Sequence, residues 1–371
     1  MSHNLPFKSE TKPYNPGATT DFFDFVSPRG PNGGRVVIDR LILCITGTVT
    51  VGTAAWDGRD VCRLAGLVTV DQRDNRQRWS LSGYKTRIAS IHLNGADQHQ
   101  EHTDVAVGAG QAINLRLVIP FFKRFLKRGE DYSIPSDVFR KITVAWAQLA
   151  SAQTGTAVLS AASLNAYIEA DWHEEYVIEY KCEDLIKSVD FNSATQAKLS
   201  ASGAVQDLLF VLENSTAGGG SIAAITDARC EDLNTPVLTN ADLLHDYAMK
   251  RWLAPSGPAT HGAERYGEPS RQGLMLPFMS SDVQTAPWDG VVRDSLKIDV
   301  NGGPANMSVI SREVIEKSQS TFNAVTSRFG VDPRSVKMRT ANGHEEGLTT
   351  DGWNQHEKLV GPWYADMPAA A

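Results

Sequence analysis

Little in this sequence points to chemistry. Four cysteines, Cys44, Cys62, Cys182 and Cys230, are scattered over 371 residues, and none lies in a C-x-x-C pair. A zinc knuckle or a redox motif is therefore unsupported, and a reducing compartment, at least during folding, is the natural setting. No run approaches 18 apolar residues, so no helix is expected to cross a membrane. The opening "MSHNLPFKSETKPYNPGATT" lacks the apolar stretch of a signal peptide. The expectation is a chain made in the cytoplasm and soluble there. Positive charge is also short: the net charge is -7, which excludes nucleic-acid binding by overall electrostatics. The one dense basic stretch, "KRFLKR" at 123–128, reads as a solvated loop.

Nucleotide and nucleophile motifs are missing too. No G-x-S-x-G, P-loop or G-x-G-x-x-G stands between a strand and a helix, and "AGGGS" at 217–221 reads as a hairpin turn. Neighbouring carboxylates, Glu174–Glu175 and Glu345–Glu346, would point to opposite faces of a strand and so form no hydrolase dyad. "HLNGADQHQEHTD" offers His99, Glu101, His102 and Asp104, but H-x-x-H is not the spacing of a helical zinc site, and the surroundings are those of a polar loop. His245 and Asp246 fall on an expected helix, where a solvated face or a cap explains them. The reading is no catalytic, cofactor-binding or metal-ligating residues, and no enzyme.

What is present is strand. Hydrophobic residues make up 42% and charged residues 21% of the chain, enough to bury a sizeable core, and the length favours two domains. Residues 1–27, with Pro6, Pro13 and Pro16, read as an extended arm rather than a packed element. "RVVIDRLILCITGTVTVG" is rich in β-branched residues and reads as strand. Val61, Leu64, Ala65 and Val68, with Asp57 and Asp60 ahead of them, have the spacing of a short helix. "RWSLSGYKTRIASIHL", "QAINLRLVIPF" and "KITVAWAQL" follow as strands. In "SLNAYIEADW", Leu164, Ala166, Ile168 and Ala170 alternate with Asn165, Tyr167, Glu169 and Asp171, the pattern of a half-buried strand. "HEEYVIEYKCEDLIKSVDF" reads as the crossing to a second half. There "VQDLLFVLEN" and "SIAAIT" are strands, and "NADLLHDYAMKRWLA" is the best helix, capped by Asn240.

One device occurs twice. "LVIPFFKRFLKRGEDYSIPSDVFRKITVAW" and "LMLPFMSSDVQTAPWDGVVRDSLKIDV" both run from an apolar strand ending in Pro-Phe, through a polar stretch and a proline turn, into a second strand. Around it the halves align by order: Ile45–Thr46 with Ile225–Thr226, a helix from Asp60 with one from Asp242, Pro120–Phe121 with Pro277–Phe278, Pro135 with Pro287, and closing strands near Leu164 and Met307. Between helix and Pro-Phe the first half is longer (120 − 60 = 60 against 277 − 242 = 35), a surplus of one hairpin that "TVDQRDNRQRWSLSGYKTRI" could supply. Two copies of a domain with many short strands imply an all-β fold: two consecutive eight-stranded jelly-roll sandwiches with short helices and extended termini.

This arrangement resembles the double jelly-roll major capsid proteins of tailless icosahedral viruses with an internal membrane, such as the corticoviruses and tectiviruses of bacteria. The resemblance is one of architecture and strand order over residues 28–316. It implies an arm at 1–27, jelly rolls at 28–172 and 173–316, and a C-terminal extension at 317–371. It further implies a homotrimer with a pseudo-hexagonal outline, trimer–trimer contacts in a shell, and location in the virion after synthesis in the host cytoplasm. Partners would be further copies of the chain, minor capsid or penton proteins and virion membrane proteins, with peripheral contact to an internal membrane and no specific nucleic acid. Loops 94–112 and 255–272 would form towers or the rim. The arm and the tail, the latter with Phe322, Phe329, Trp353, Trp363 and Tyr364, would tie neighbouring trimers together or face the inner membrane. Two other classes use such sandwiches: a carbohydrate-binding or glycan-active protein, for which Trp79, Tyr84, Trp146 and Trp172 are the available aromatics, and a viral receptor-binding spike.

Overall fold

The computed structural model describes residues 5–94, 104–121 and 132–175, and, further along, the strands between 183 and 347 named below. Two jelly-roll sandwiches follow one another. The first contains β1 (Phe7–Lys8), β2 (Lys12–Pro13), β3 (Thr19–Phe23), β4 (Arg35–Gly52), β5 (Ala65–Gln72) and β6 (Gln77–Leu81). Helix α1 (Gly83–Asn94) comes next, then β7 (Gly108–Pro120), β8 (Ile134–Pro135), β9 (Phe139–Trp146) and β10 (Val158–Glu175). One sheet has β10 flanked by β1–β2 and by β4, with β7 beyond β4. The facing strands run in the order β3, β9, β5, β6.

The second sandwich contains β11 (Glu183–Asp190), β12 (Gln196–Leu199), β13 (Ala204–Leu212), β14 (Asp227–Cys230) and β15 (Pro236–Leu238). It continues with β16 (Gly273–Pro277), β17 (Trp288–Asp289), β18 (Leu296–Asn301) and β19 (Met307–Ile315). Its sheets run β11, β19, β13, β16 and β12, β18, β14, β15. Every pairing of the first sandwich thus has its counterpart: β1–β2 matches β11, β4 matches β13, β7 matches β16 and β10 matches β19. The match holds in register. Arg40 on β4 pairs with Pro120 on one side and Asp171 on the other. Asp207 on β13 pairs with Pro277 and Arg312, so the strand-ending prolines coincide and the charges are exchanged. Even the two-residue bridges agree: β8 pairs with Val37 and Ile38, three and two residues before Arg40, and β17 pairs with Ala204 and Val205, three and two before Asp207.

Several expectations are corrected. The chain from residue 5 to 27 is extended, but it is packed, not a free arm. β1 and β2 pair with β10 and β3 pairs with β9, and Tyr14, Phe22 and Val26 are buried. The helix expected from Asp60 is a single 3-10 segment, Gly58–Leu64, capped by the Asp57 carboxylate, which accepts from Arg59 N–H. Ala65 already has extended dihedrals, because the Val68-Thr69-Val70 run pairs with β9 and β6, and sheet pairing overrides local propensity. The reverse happens in "RWSLSGYKTRIASIHL", expected as strand throughout. Its first part is β6, and its second part is α1, capped by Ser82, whose Oγ accepts from Lys85 N–H at 3.2 Å. From Gly83 to Ser90 every residue of α1 is buried, so the helix has no solvated face to betray its period. Gly83 is required where α1 meets the 3-10 segment: a Cβ there would lie 2.1 Å from the Cys62 carbonyl oxygen.

The surplus expected between the halves loses its first-half landmark, because the α-helix follows β6 and not the 3-10 segment. With α1 as the counterpart of the helix expected from Asp242, the distances to the prolines are 120 − 83 = 37 and 277 − 242 = 35. Because β4 matches β13 in register, Ile45–Thr46 does not correspond to Ile225–Thr226. The strand "SIAAIT" and the helix "NADLLHDYAMKRWLA" lie outside the described residues. Other expectations hold: β10 alternates as written, with Leu164, Ala166, Ile168 and Ala170 buried, and β7 and β16 both end on proline.

The core of the first sandwich joins Leu41, Leu43 and Ile45 of β4 to Val68, Trp79 and Ile142 of the facing strands. It is continuous with Ile186 of β11, Leu209 and Val211 of β13 and Ile310 of β19. Each such aliphatic side chain contributes about 1.5–3 kcal/mol on burial.

Candidate assembly surfaces

The residues that sequence reading singled out for chemistry do not converge. Trp79, Tyr84 and Trp146 are core. The Trp79 indole donates to Thr86 Oγ1 at 3.1 Å and the Trp146 indole to Thr20 Oγ1 at 2.8 Å. Trp172, half-buried, stacks on Phe7 with ring centroids 5.0 Å apart and donates to the Leu5 carbonyl. Three of the four aromatics that a glycan platform would need are thus unavailable to a ligand. Asp104 accepts from Gly58 N–H at 2.9 Å and so fastens a loop. His99, Glu101, His102, His245, Asp246 and "KRFLKR" lie outside the described residues, as do Cys182, loop 255–272 and the five aromatics of the tail. From that tail the structure describes one hairpin, β20 (Lys337–Arg339) with β21 (Glu345–Gly347). Glu345 and Glu346 are successive residues of β21. Cys44 and Cys62 are buried free thiols, pushed up to about 11 and about 12 by burial.

Glu174 and Glu175 do not act together. Glu174 accepts from Asn32 N–H at 3.1 Å, while Glu175 lies 3.1 Å from His173 Nε2. His173 Nδ1 meets both oxygens of Asp39, at 2.8 and 3.0 Å, and Asp39 also accepts from Ser133 Oγ at 2.7 Å. The two carboxylates approach opposite ring nitrogens, so they cannot converge on one ion, and no metal-holding group occurs among the described residues. Burial opposes the charge on His173, but hydrogen bonds and charge from Asp39 and Glu175 prevail and raise it to about 9. The cluster clamps the end of β10 to β4.

The informative surfaces are sheet edges and flanks. At one edge the sandwiches are already joined. β6 and β11 run parallel, Ile186 beside Trp79 and Lys187 beside Ser80, which fuses two four-stranded sheets into one that runs from β16 to β3. Ile186 is buried there. Lys85 of α1, only 7% exposed in its side chain, reaches Asp190 Oδ1 at 2.8 Å and Ser188 Oγ at 3.3 Å on β11. A buried ammonium needs such partners.

Other edges end without a partner strand among the described residues: β1–β2, β3, β7, β15, β12 and β16. The β1–β2 edge carries Leu5, 89% exposed, and β3 carries Phe23, half-exposed beside Lys141. The flank formed by β7, β4 and β10 divides in two. Towards one end Ile42, Cys44 and Val118 are buried beside Tyr167, between the ion pairs Arg116–Glu169 (2.6 Å) and Arg40–Asp171. Lys8 Nζ stands 3.7 Å over the Tyr167 ring. Towards the other end the flank shows Thr48, Ala112, Asn114, Ala161, Ser163 and Asn165, all small and exposed, an even surface suited to packing.

No family model matches the chain, and no curated protein matches it. Solved structures do. The STIV MCP shares 12% identity at a TM-score of 0.59, over 86% of this chain and 100% of that one. The atomic structure of Sulfolobus Turreted Icosahedral Virus shares 11% at 0.58, over 88% and 95%. PBCV-1 VP54, as fitted into a reconstruction of the virophage Sputnik, shares 8% at 0.56, over 85% and 94%. These neighbours are double jelly-roll major capsid proteins of icosahedral viruses. At such identities the likeness establishes the shared fold, which here extends over nearly the whole of each neighbour.

Proposed function

We propose that this chain is a structural major capsid protein, which self-assembles as pseudo-hexagonal trimers into an icosahedral shell. One observation carries the reading: a sandwich repeated strand for strand, in register, with its copies fused edge to edge. Two such copies per chain give a three-fold oligomer a six-fold outline, which tiles a surface with closed symmetry. The neighbours that share this double fold over their full length are capsid components, which supports the same role. The protein then acts as a wall rather than a catalyst and resides in the virion, after synthesis in the host cytoplasm.

The finer parts of this reading follow from the same fold. The first jelly roll takes in the β1–β3 segment and runs to the end of β10 at Glu175, the second follows it to residue 316, and 317–371 is the extension. Minor capsid or penton proteins and virion membrane proteins are the further partners, in a bacterial virus with an internal membrane. Light scattering on the purified chain, with electron micrographs of the source particle, tests the proposal. A fixed multimer and angular particles are expected. A monomer at every concentration would overturn it.

A further inference from the structure

We infer that chains join each other by the same edge that joins the two sandwiches within a chain: β15 of one copy lies parallel to the β1–β2 edge of the next. This rests on the trimer reading above and names the surfaces that it uses.

The internal join brings the β6 edge of the first sandwich against the β11 edge of the second. By the strand correspondence, β15 holds the place of β6, and β1–β2 holds the place of β11. Each chain therefore carries one join already made and one complementary pair of edges, β15 and β1–β2, that no other strand occupies among the described residues. A head-to-tail contact of one kind, repeated, closes a ring when each step turns by about 60°, which takes six sandwiches and therefore three chains.

The register locates the contact. Arg312 pairs with Ile186, and Asp171, its counterpart, stands one residue from the Ala170–Phe7 pair. Position 6 thus matches 186, and Leu5 matches Leu185. Leu5, 89% exposed at the tip of this edge, is a large apolar side chain placed where the equivalent edge is covered. Ser9 N–H bonds inward to the Ile168 carbonyl, so in strand alternation the main chain of residues 6 and 8 faces outward. At position 6 proline offers a carbonyl and no N–H. The contact between chains is therefore weaker than the internal one, and Pro6 and Pro13 prevent the edge from zipping along an unlimited partner.

Disulfide trapping on the full chain tests this. Chains with Leu5→Cys are mixed with chains carrying cysteine at residue 236, 237 or 238, and oxidised after light scattering has confirmed trimers. Cross-linked pairs are expected in the mixture and in neither parent alone. In the doubly substituted chain, covalent species are expected to stop at three. Trimers without any cross-link at these positions would overturn the inference and leave the capsid reading intact, whereas an unmodified chain that never trimerises would overturn the reading itself. As a second measurement, Leu5→Asp should loosen the trimer at least tenfold with the thermal midpoint of the dissociated chain unchanged. An unaltered trimer would count against the join.

Discussion

β11 and the β1–β2 pair hold the same place in two copies of one sandwich, yet their residues differ as their surroundings demand. On β11 the matched position is Ile186, buried beside Trp79, with Asp190 further along meeting the buried Lys85. On the first sandwich it is Pro6, exposed, with Leu5 bare beside it and Glu10 where β11 has Asp190. The covered edge has kept an apolar anchor and a satisfied charge. The open edge has a residue that cannot donate to a ladder. A duplicated fold has turned one of two equivalent edges into a permanent seam and left the other controlled.

The largest effect expected from breaking this contrast is at the matched pair itself. Ile186→Asp places a carboxylate in the shared core and should cost about 3–5 kcal/mol in denaturant unfolding. Pro6→Asp, at the same position of the other copy, should stay within about 0.5 kcal/mol. Equal losses would mean that the two edges are not differently covered.

A middle-sized effect separates the sandwiches by pH. His173 pairs with Val37, and its counterpart Val314 pairs with Ala204, so only the first copy has an ionisable clamp there. The folded value of His173, about 9, lies above the ordinary 6.5. Its contribution is full below pH 6.5 and is lost as pH rises through 9. Melts between pH 6 and 10 should show a loss on the order of 1–2 kcal/mol, after discounting for partial exposure. His173→Asn should remove this slope, and hydrogen exchange should place the loss in β4 and β10 rather than β13 and β19. The smallest effect is at the seam's rim. Asp190→Asn should cost roughly 0.5–1 kcal/mol by weakening the hold on Lys85, and Glu10→Gln about zero, in the same unfolding experiment.

The duplication was legible because prolines and alternation are local signals. The Pro-Phe ends of β7 and β16 and the two faces of β10 required no tertiary knowledge. The helix was missed for a physical reason: Tyr84 to Ser90 are buried on all sides between two sandwiches, which erases the amphipathic period, and only Ser82 as a cap remained as a clue. The β1–β3 segment reads as an arm because its pairs are short and their partners, Ala170 and Ile142, lie more than a hundred residues away. The assembly edges had no sequence signal of their own. They are defined by the tertiary register that the two sandwiches share.

The partnership of β1 with β10 also sets a timetable. During synthesis β1 must wait for β10, the last strand of its own sandwich, some 160 residues later by the Phe7–Ala170 pair. At about 5–20 residues per second, that is a delay of roughly eight to thirty seconds. Throughout it, Tyr14 and Phe22 have no finished core to enter, and Pro6, Pro13 and Pro16 offer no main-chain N–H to a passing strand. β11, by contrast, emerges to find β6 already made, so the second sandwich is built on a finished wall.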